Sequence, residues 1–166
     1  MAQVTFQGTA VNTVGDLPSA GQDAPDFTLT KSDLSDVSLG EYKGKRLVLN
    51  IFPSVDTPVC AASVRRFNDE AGKLADTEVL CISRDMPFAL SRFCAAEGLE
   101  SVTPVSELRS DSFGRDYGVR IADSALAGLF ARAVVVIDRE GKVIYTRLAP
   151  ELAEEPDYES ALKSLS

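Results

Sequence analysis

Leu47-Val48-Leu49-Asn50-Ile51-Phe52-Pro53-Ser54-Val55-Asp56-Thr57-Pro58-Val59-Cys60 passes from an apolar run through a turn into a helical pattern. Residues 47–52 are apolar almost without a break, which predicts a strand buried on both faces. Pro53 ends it, since proline fixes its own φ and brings no N–H to a sheet ladder. Thr57 suits an N-cap and Pro58 the first helical position. From Pro58 to about Ala75, the residues Cys60, Val64, Phe67, Ala71 and Leu74 recur at spacings of four, three, four and three. That spacing lays them along one helix face.

Cys60 therefore falls at the third helical position, where a capping box carries Glu or Gln. A sulfur there sits among unpaired backbone N–H groups at the positive end of the helix dipole, and both favour a thiolate. The chain has no histidine, so no imidazole within it can activate a nucleophile, and Cys-His and Ser-His-Asp catalysis are excluded. The competing reading is a small buried hydrophobe, the commoner fate of a free cysteine. Cys81 fits that reading, lying mid-strand between Leu80 and Ile82. Cys94, beside Leu90 and Phe93 in a helical pattern, is open between core filler and redox partner.

Outward from this stretch, Val4 and Phe6 alternate ahead of Gly8-Thr9, and Val11 and Val14 follow, which predicts a short N-terminal hairpin. Asp23 to Asp26 is a turn before Phe27-Thr28-Leu29. Glu78–Ser83 reads as a second buried strand, and Pro87–Glu97 as a helix stopped by Gly98. Val102–Val105 suggests a short strand, and Ser112–Tyr117 a short helix. Ala133–Asp138 is a strong strand, answered across the turn 139–142 by Val143-Ile144-Tyr145. Asp157–Leu165 closes the chain as a helix. Strand-helix-strand units imply parallel neighbours with covering helices, and the late hairpin adds an antiparallel pair. The fold class is α/β, read as one domain over 1–166.

With 166 residues and an apolar share of 45%, the chain can bury a core. Its formal charge of −8 argues against nucleic acid and anionic membranes as partners. The opening residues lack the basic and then apolar segments of a signal peptide, so the expected location is the cytoplasm. The three cysteines form no C-x-x-C pair. An odd count in a reducing compartment is not a disulfide framework, and without histidine a metal site lacks its usual ligands.

Pro53-x-x-x-Thr57-x-x-Cys60 resembles the active-site signature of the peroxiredoxins. KRLVLNIFPSVDTPVCAASVRRFN, VLCISRDMPFALSRFCAAEGL and ARAVVVIDREGKVI, in that order, resemble its bacterial thiol peroxidase branch. VTFQG and EPDYESAL extend the likeness over essentially the whole chain. The resemblance implies a thioredoxin-like fold, a mixed central sheet flanked by helices, with an N-terminal β-hairpin extension. It implies that Cys60 is the peroxidatic cysteine and Cys94 the resolving one, joined in turnover as an intramolecular Cys60–Cys94 disulfide (the atypical 2-Cys type). Arg132 matches the family's active-site arginine; nothing but the resemblance singles it out.

A hydroperoxide substrate, reduction by thioredoxin or a similar dithiol, a homodimer and no bound cofactor are further implications. Phe52, Met86 and Phe88 are expected to line a pocket for organic hydroperoxides. Cys60 and Cys94 fall on separate helices, and a disulfide needs Cα atoms within about 7 Å. If the reduced pair is further apart, one or both helix starts must unwind, and the segment around Cys94 is expected to be the unit that opens. Two other readings stand beside this one. The first is a thioredoxin-like redox sensor or disulfide oxidoreductase without sustained peroxidase turnover, against which the missing C-x-x-C weighs. The second is a scaffold with three inert thiols.

Overall fold

The computed structural model describes residues 1–166. Strands β1 (Gln3–Phe6) and β2 (Thr9–Asn12) form the N-terminal hairpin, in register Val4 to Val11. A seven-stranded sheet follows, in the order β4-β3-β7-β6-β5-β8-β9. Its strands are β3 (Thr28–Lys31), β4 (Asp36–Ser38), β5 (Arg46–Ile51), β6 (Thr77–Ser83), β7 (Thr103–Ser106), β8 (Ala133–Ile137) and β9 (Val143–Leu148). The helices are α1 (Pro58–Ala71), α2 (Pro87–Glu97), α3 (Ser112–Asp116) and α4 (Tyr158–Lys163).

β5, β6 and β7 run parallel, linked by α1 and α2, while β8 joins β5 antiparallel and β9 joins β8. This is the mixed, helix-flanked sheet expected from the sequence. Alternation along β5 explains why an almost continuous apolar run serves two faces. Leu47, Leu49 and Ile51 enter one buried cluster with Phe27, Phe113, Tyr117 and Phe130. Val48 and Phe52 enter the other, under α1, α2 and α4, with Val64, Phe67, Leu90 and Phe93. Asn50 points to the α1 side, where its Nδ2 donates to Ser63 Oγ at 3.2 Å and Ser63 Oγ donates to the Cys60 carbonyl at 2.8 Å.

Element ends shift by a few residues from the sequence reading. Helix α1 stops at Ala71, with Gly72 as C-cap, and Leu74 packs on the same cluster from the following turn. The hairpin of β3 with β4 was absent from that reading. β4 is a three-residue edge strand, Asp36-Val37-Ser38, too short and too polar to show a period. No helix is long and apolar enough to cross a membrane.

Candidate active site

The end of β5, the loop 53–57 and the first turn of α1 bring the signature residues to one place. Thr57 is the N-cap with extended backbone (φ −101°, ψ 144°), and Pro58 opens the helix. Cys60 is thus at the third helical position, as its spacing predicts. Its side chain is 0% exposed.

Thr57 departs from expectation. A threonine at this position normally turns its hydroxyl onto the helix N–H groups, but no side chain caps α1. Thr57 Oγ1 instead donates to the Ser54 carbonyl at 3.1 Å, the same oxygen that accepts the Thr57 N–H at 3.2 Å. Two consequences follow from this one rotamer. The first-turn N–H groups beside the sulfur stay free of a side-chain partner. The hydroxyl proton is committed to Ser54, so the oxygen faces an incoming molecule as an acceptor.

Arg132 lies just before β8 and is only 2% exposed, where a strand-leading arginine would ordinarily face water. The carbonyl of Leu152 accepts from its Nε at 3.1 Å and its Nη2 at 2.9 Å. Nη2 also reaches Cys60 Sγ at 3.3 Å. Nη1 is buried with no partner. A guanidinium is always charged, so Arg132 sets a fixed cation against the sulfur and still has an N–H group to offer.

Beside this group lies a cleft of about 320 Å³, reached by Pro53, Thr57 and Arg132. Phe6, Leu126, Leu129 and Leu152 supply its apolar walls. Glu151 holds the N-terminal hairpin there, accepting from Thr5 Oγ1 at 2.7 Å and from the Gln7 N–H at 3.0 Å. Hydrogen bonds from the backbone of Ala153 and from Thr5 hold the Glu151 carboxyl down at about 2.

The comparisons agree with this arrangement. Residues 19–162 match the family model described as Redoxin. A thiol peroxidase of Mycobacterium tuberculosis is 59% identical over 165 residues, covering 99% of each chain. One of Corynebacterium glutamicum is 54% identical over 166 residues, covering 100% of each. The chain belongs to the peroxiredoxin family, in its thiol peroxidase branch. Among solved structures, a peroxiredoxin-like protein from Aquifex aeolicus superposes with a TM-score of 0.94 at 36% identity. That match covers 99% of this chain and 96% of the other.

Not every residue that the sequence put forward for this peroxiredoxin site is found at the cleft. Phe52 is fully buried in the core on the α1 side of the sheet. Met86 and Phe88 stand 55% and 61% exposed at the start of α2 and are not part of the cleft wall. The expectation that these three line the pocket is therefore corrected. Phe52 ends a buried strand, so its ring turns into the sheet's core, and the walls come instead from the hairpin and from residues 126–129 and 152. These segments are remote in sequence from one another. Leu126, Leu129 and Leu152 carry no motif, and their one signal is apolar residues in otherwise loop-like stretches.

Cys94 lies in the second half of α2, half-buried against the cluster that contains Cys60. It is unbonded, as are Cys60 and Cys81. Burial pushes the Cys94 thiol up. Cys81 is fully buried in β6, and burial pushes its thiol up to about 12, which makes it a poor nucleophile at neutral pH.

Proposed function

We infer the following cycle for this thiol-dependent peroxidase. A hydroperoxide enters the cleft with its terminal O–H against Thr57 Oγ1, the acceptor left open by the bond to Ser54. Arg132 Nη1 and the free N–H groups of the first helical turn face the second oxygen. The Cys60 thiolate attacks the terminal oxygen in line with the O–O bond. A sulfur–oxygen bond forms, the O–O bond breaks, and Cys60 becomes a sulfenic acid. The departing oxygen carries the electron pair, is stabilised by the guanidinium, and takes a proton to leave as alcohol or water.

The segment around Cys94 then opens, the Cys94 thiol gives up its proton, and the thiolate displaces hydroxide from the sulfenic sulfur. The Cys60–Cys94 disulfide forms, the S–O bond breaks, and the hydroxide takes up a proton to leave as water. Thioredoxin or a similar dithiol protein reduces it by exchange and is itself oxidised. The cycle calls for no metal or organic cofactor, the electrons coming from the dithiol. The apolar cleft walls suit organic hydroperoxides as well as hydrogen peroxide. We place the enzyme in the cytoplasm, where a reductant keeps its three thiols free, and expect a homodimer that covers Met86 and Phe88.

The observation that carries this reading is the approach of Arg132 Nη2 to Cys60 Sγ at 3.3 Å, with Nη1 unpartnered beside it. The redox-sensor reading is not favoured, since the close relatives are named peroxidases over their full length. Peptide mapping by mass spectrometry after one equivalent of peroxide tests the cycle. A Cys60–Cys94 linkage is expected. A linkage through Cys81, or between two chains, would overturn the assigned roles.

A further inference from the structure

Asp85 lies between the end of β6 and the start of α2, and its carboxylate accepts three hydrogen bonds. Ser54 Oγ donates at 2.7 Å and the Val55 N–H at 3.0 Å, both from the active-site loop. Ser83 Oγ, at the end of β6, donates at 2.6 Å. The residue is itself fixed to the sheet: its N–H donates to Ser83 Oγ at 3.2 Å, and its carbonyl accepts from Ser106 Oγ, at the end of β7, at 2.5 Å. Ser54 Oγ in turn accepts the Asp56 N–H at 3.1 Å. The Ser54 carbonyl takes both the N–H and the hydroxyl of Thr57. A continuous path of hydrogen bonds thus runs from the ends of two sheet strands, through Asp85 and Ser54, to Thr57.

We infer that Asp85 is a positioning residue for the peroxide-binding loop, fixing Ser54 and Val55 and, through the Ser54 carbonyl, the direction of the Thr57 hydroxyl. The inference rests on the roles of Thr57 and Cys60 given above. Asp85 makes no hydrogen bond to Cys60 or Arg132, so it acts on the peroxide's placement and not on the sulfur. The carboxylate is needed for its two acceptor oxygens. Val55 N–H can only donate, so one oxygen must face it, and Ser83 shares that oxygen. Ser54 is more tolerant, because a hydroxyl can accept as well as donate. An asparagine can therefore keep its oxygen on Val55 and direct its NH₂ to Ser54, whereas an alanine loses every bond.

The test compares two reactions of Cys60 in the reduced, full chain, each followed on the Cys60 peptide by mass spectrometry. Oxidation by tert-butyl hydroperoxide needs Thr57 in place; alkylation by iodoacetamide needs access to the sulfur but no contact with Thr57. With Asp85→Ala, a loop displaced by about 1 Å slows oxidation on the order of 10²-fold, while alkylation stays within about threefold. Asp85→Asn falls between, with oxidation slowed roughly three- to tenfold, and decides the matter if the alanine variant does not fold. Oxidation within about twofold of the unsubstituted chain in both variants would overturn the inference, since misplacement must be felt in the rate. So would an equal fall in both reactions, which marks a general loss of structure. If the unsubstituted chain itself leaves Cys60 unoxidised, the reading of the site fails first, and this inference with it.

Discussion

Helices α1 and α2 each begin with proline at the first helical position, and neither start has a side-chain cap. Beyond that they are held differently. Helix α1 buries Cys60, Ala61, Ser63, Val64, Phe67 and Ala71, and α4 clamps it from outside. Tyr158 meets Phe67 edge-on at 5.3 Å and lies 5.1 Å under the Arg66 guanidinium. Helix α2 buries only Pro87, Leu90 and Phe93. Leu90 and Phe93 join the cluster under α1, and the polar ties of α2 to the α1 side are at the rim: Arg92 to Asp56 at 3.3 Å, and Glu97 to Arg65 at 2.8 Å. Exposed ion pairs contribute about 0–1 kcal/mol each, against about 1.5–3 kcal/mol for a fully buried large apolar side chain. The helix carrying Cys60 is fixed, and the helix carrying Cys94 is fastened lightly. The proposed cycle, which first aims one thiol at a peroxide and then joins it to a thiol on another helix, needs this division.

Exchanging the two sulfurs gives the largest contrast. Cys60→Ser is expected to abolish peroxide consumption. Cys94→Ser should still consume one equivalent of peroxide per chain and then stop, even with thioredoxin present. Sustained turnover by the Cys94 variant would erase the distinction between the helices.

A pH series sharpens the contrast. Burial raises the Cys94 thiol in the folded helix, so the folded form keeps its proton to higher pH than an opened segment does. The stability contributed by the buried neutral thiol is thus present at low pH and is lost as pH climbs past the ordinary thiol value. While the folded form is the populated one, disulfide formation after a peroxide pulse rises about tenfold per pH unit through the ordinary thiol value of about 8.5 and bends only above it. A bend near that value would show that the segment is already open before Cys94 reacts.

Smaller effects test the fastening itself. Amide hydrogen exchange should give residues 90–97 weaker protection than residues 61–71; equal protection near the global limit would remove the opening step. Glu97→Gln is expected to raise opening of α2 roughly two- to fivefold, the scale of an exposed pair, and to leave α1 unchanged. The smallest effect is expected of Cys81→Ser, with turnover within about twofold of the unsubstituted chain and a stability cost of about 1 kcal/mol. Behaviour like that of the Cys60 variant would reassign the thiols.

Much of this contrast was legible in the chain. Thr57-Pro58 fixes where α1 starts, so the register of Cys60 follows from local rules, and alternation along 47–52 fixes the sheet. The position of Arg132 is visible only through resemblance, since its partner Leu152 is twenty residues away and contributes a carbonyl that no side-chain pattern encodes. The rotamer of Thr57 escapes local rules for a related reason. Local preference favours capping, but the loop offers the Ser54 carbonyl, and the tertiary path through Asp85 holds that carbonyl in place. The pocket walls come from three separated segments, and no window of sequence contains them together.

The guanidinium of Arg132 hangs from a main-chain oxygen, and this bears on how the site tolerates mutation. Substituting the side chain at position 152 leaves that acceptor where it is. Such a change can reshape the pocket while the charge beside the sulfur stays put. Substrate preference can therefore drift by single replacements along this wall without putting the chemistry at risk, and only a rerouted backbone would unseat it.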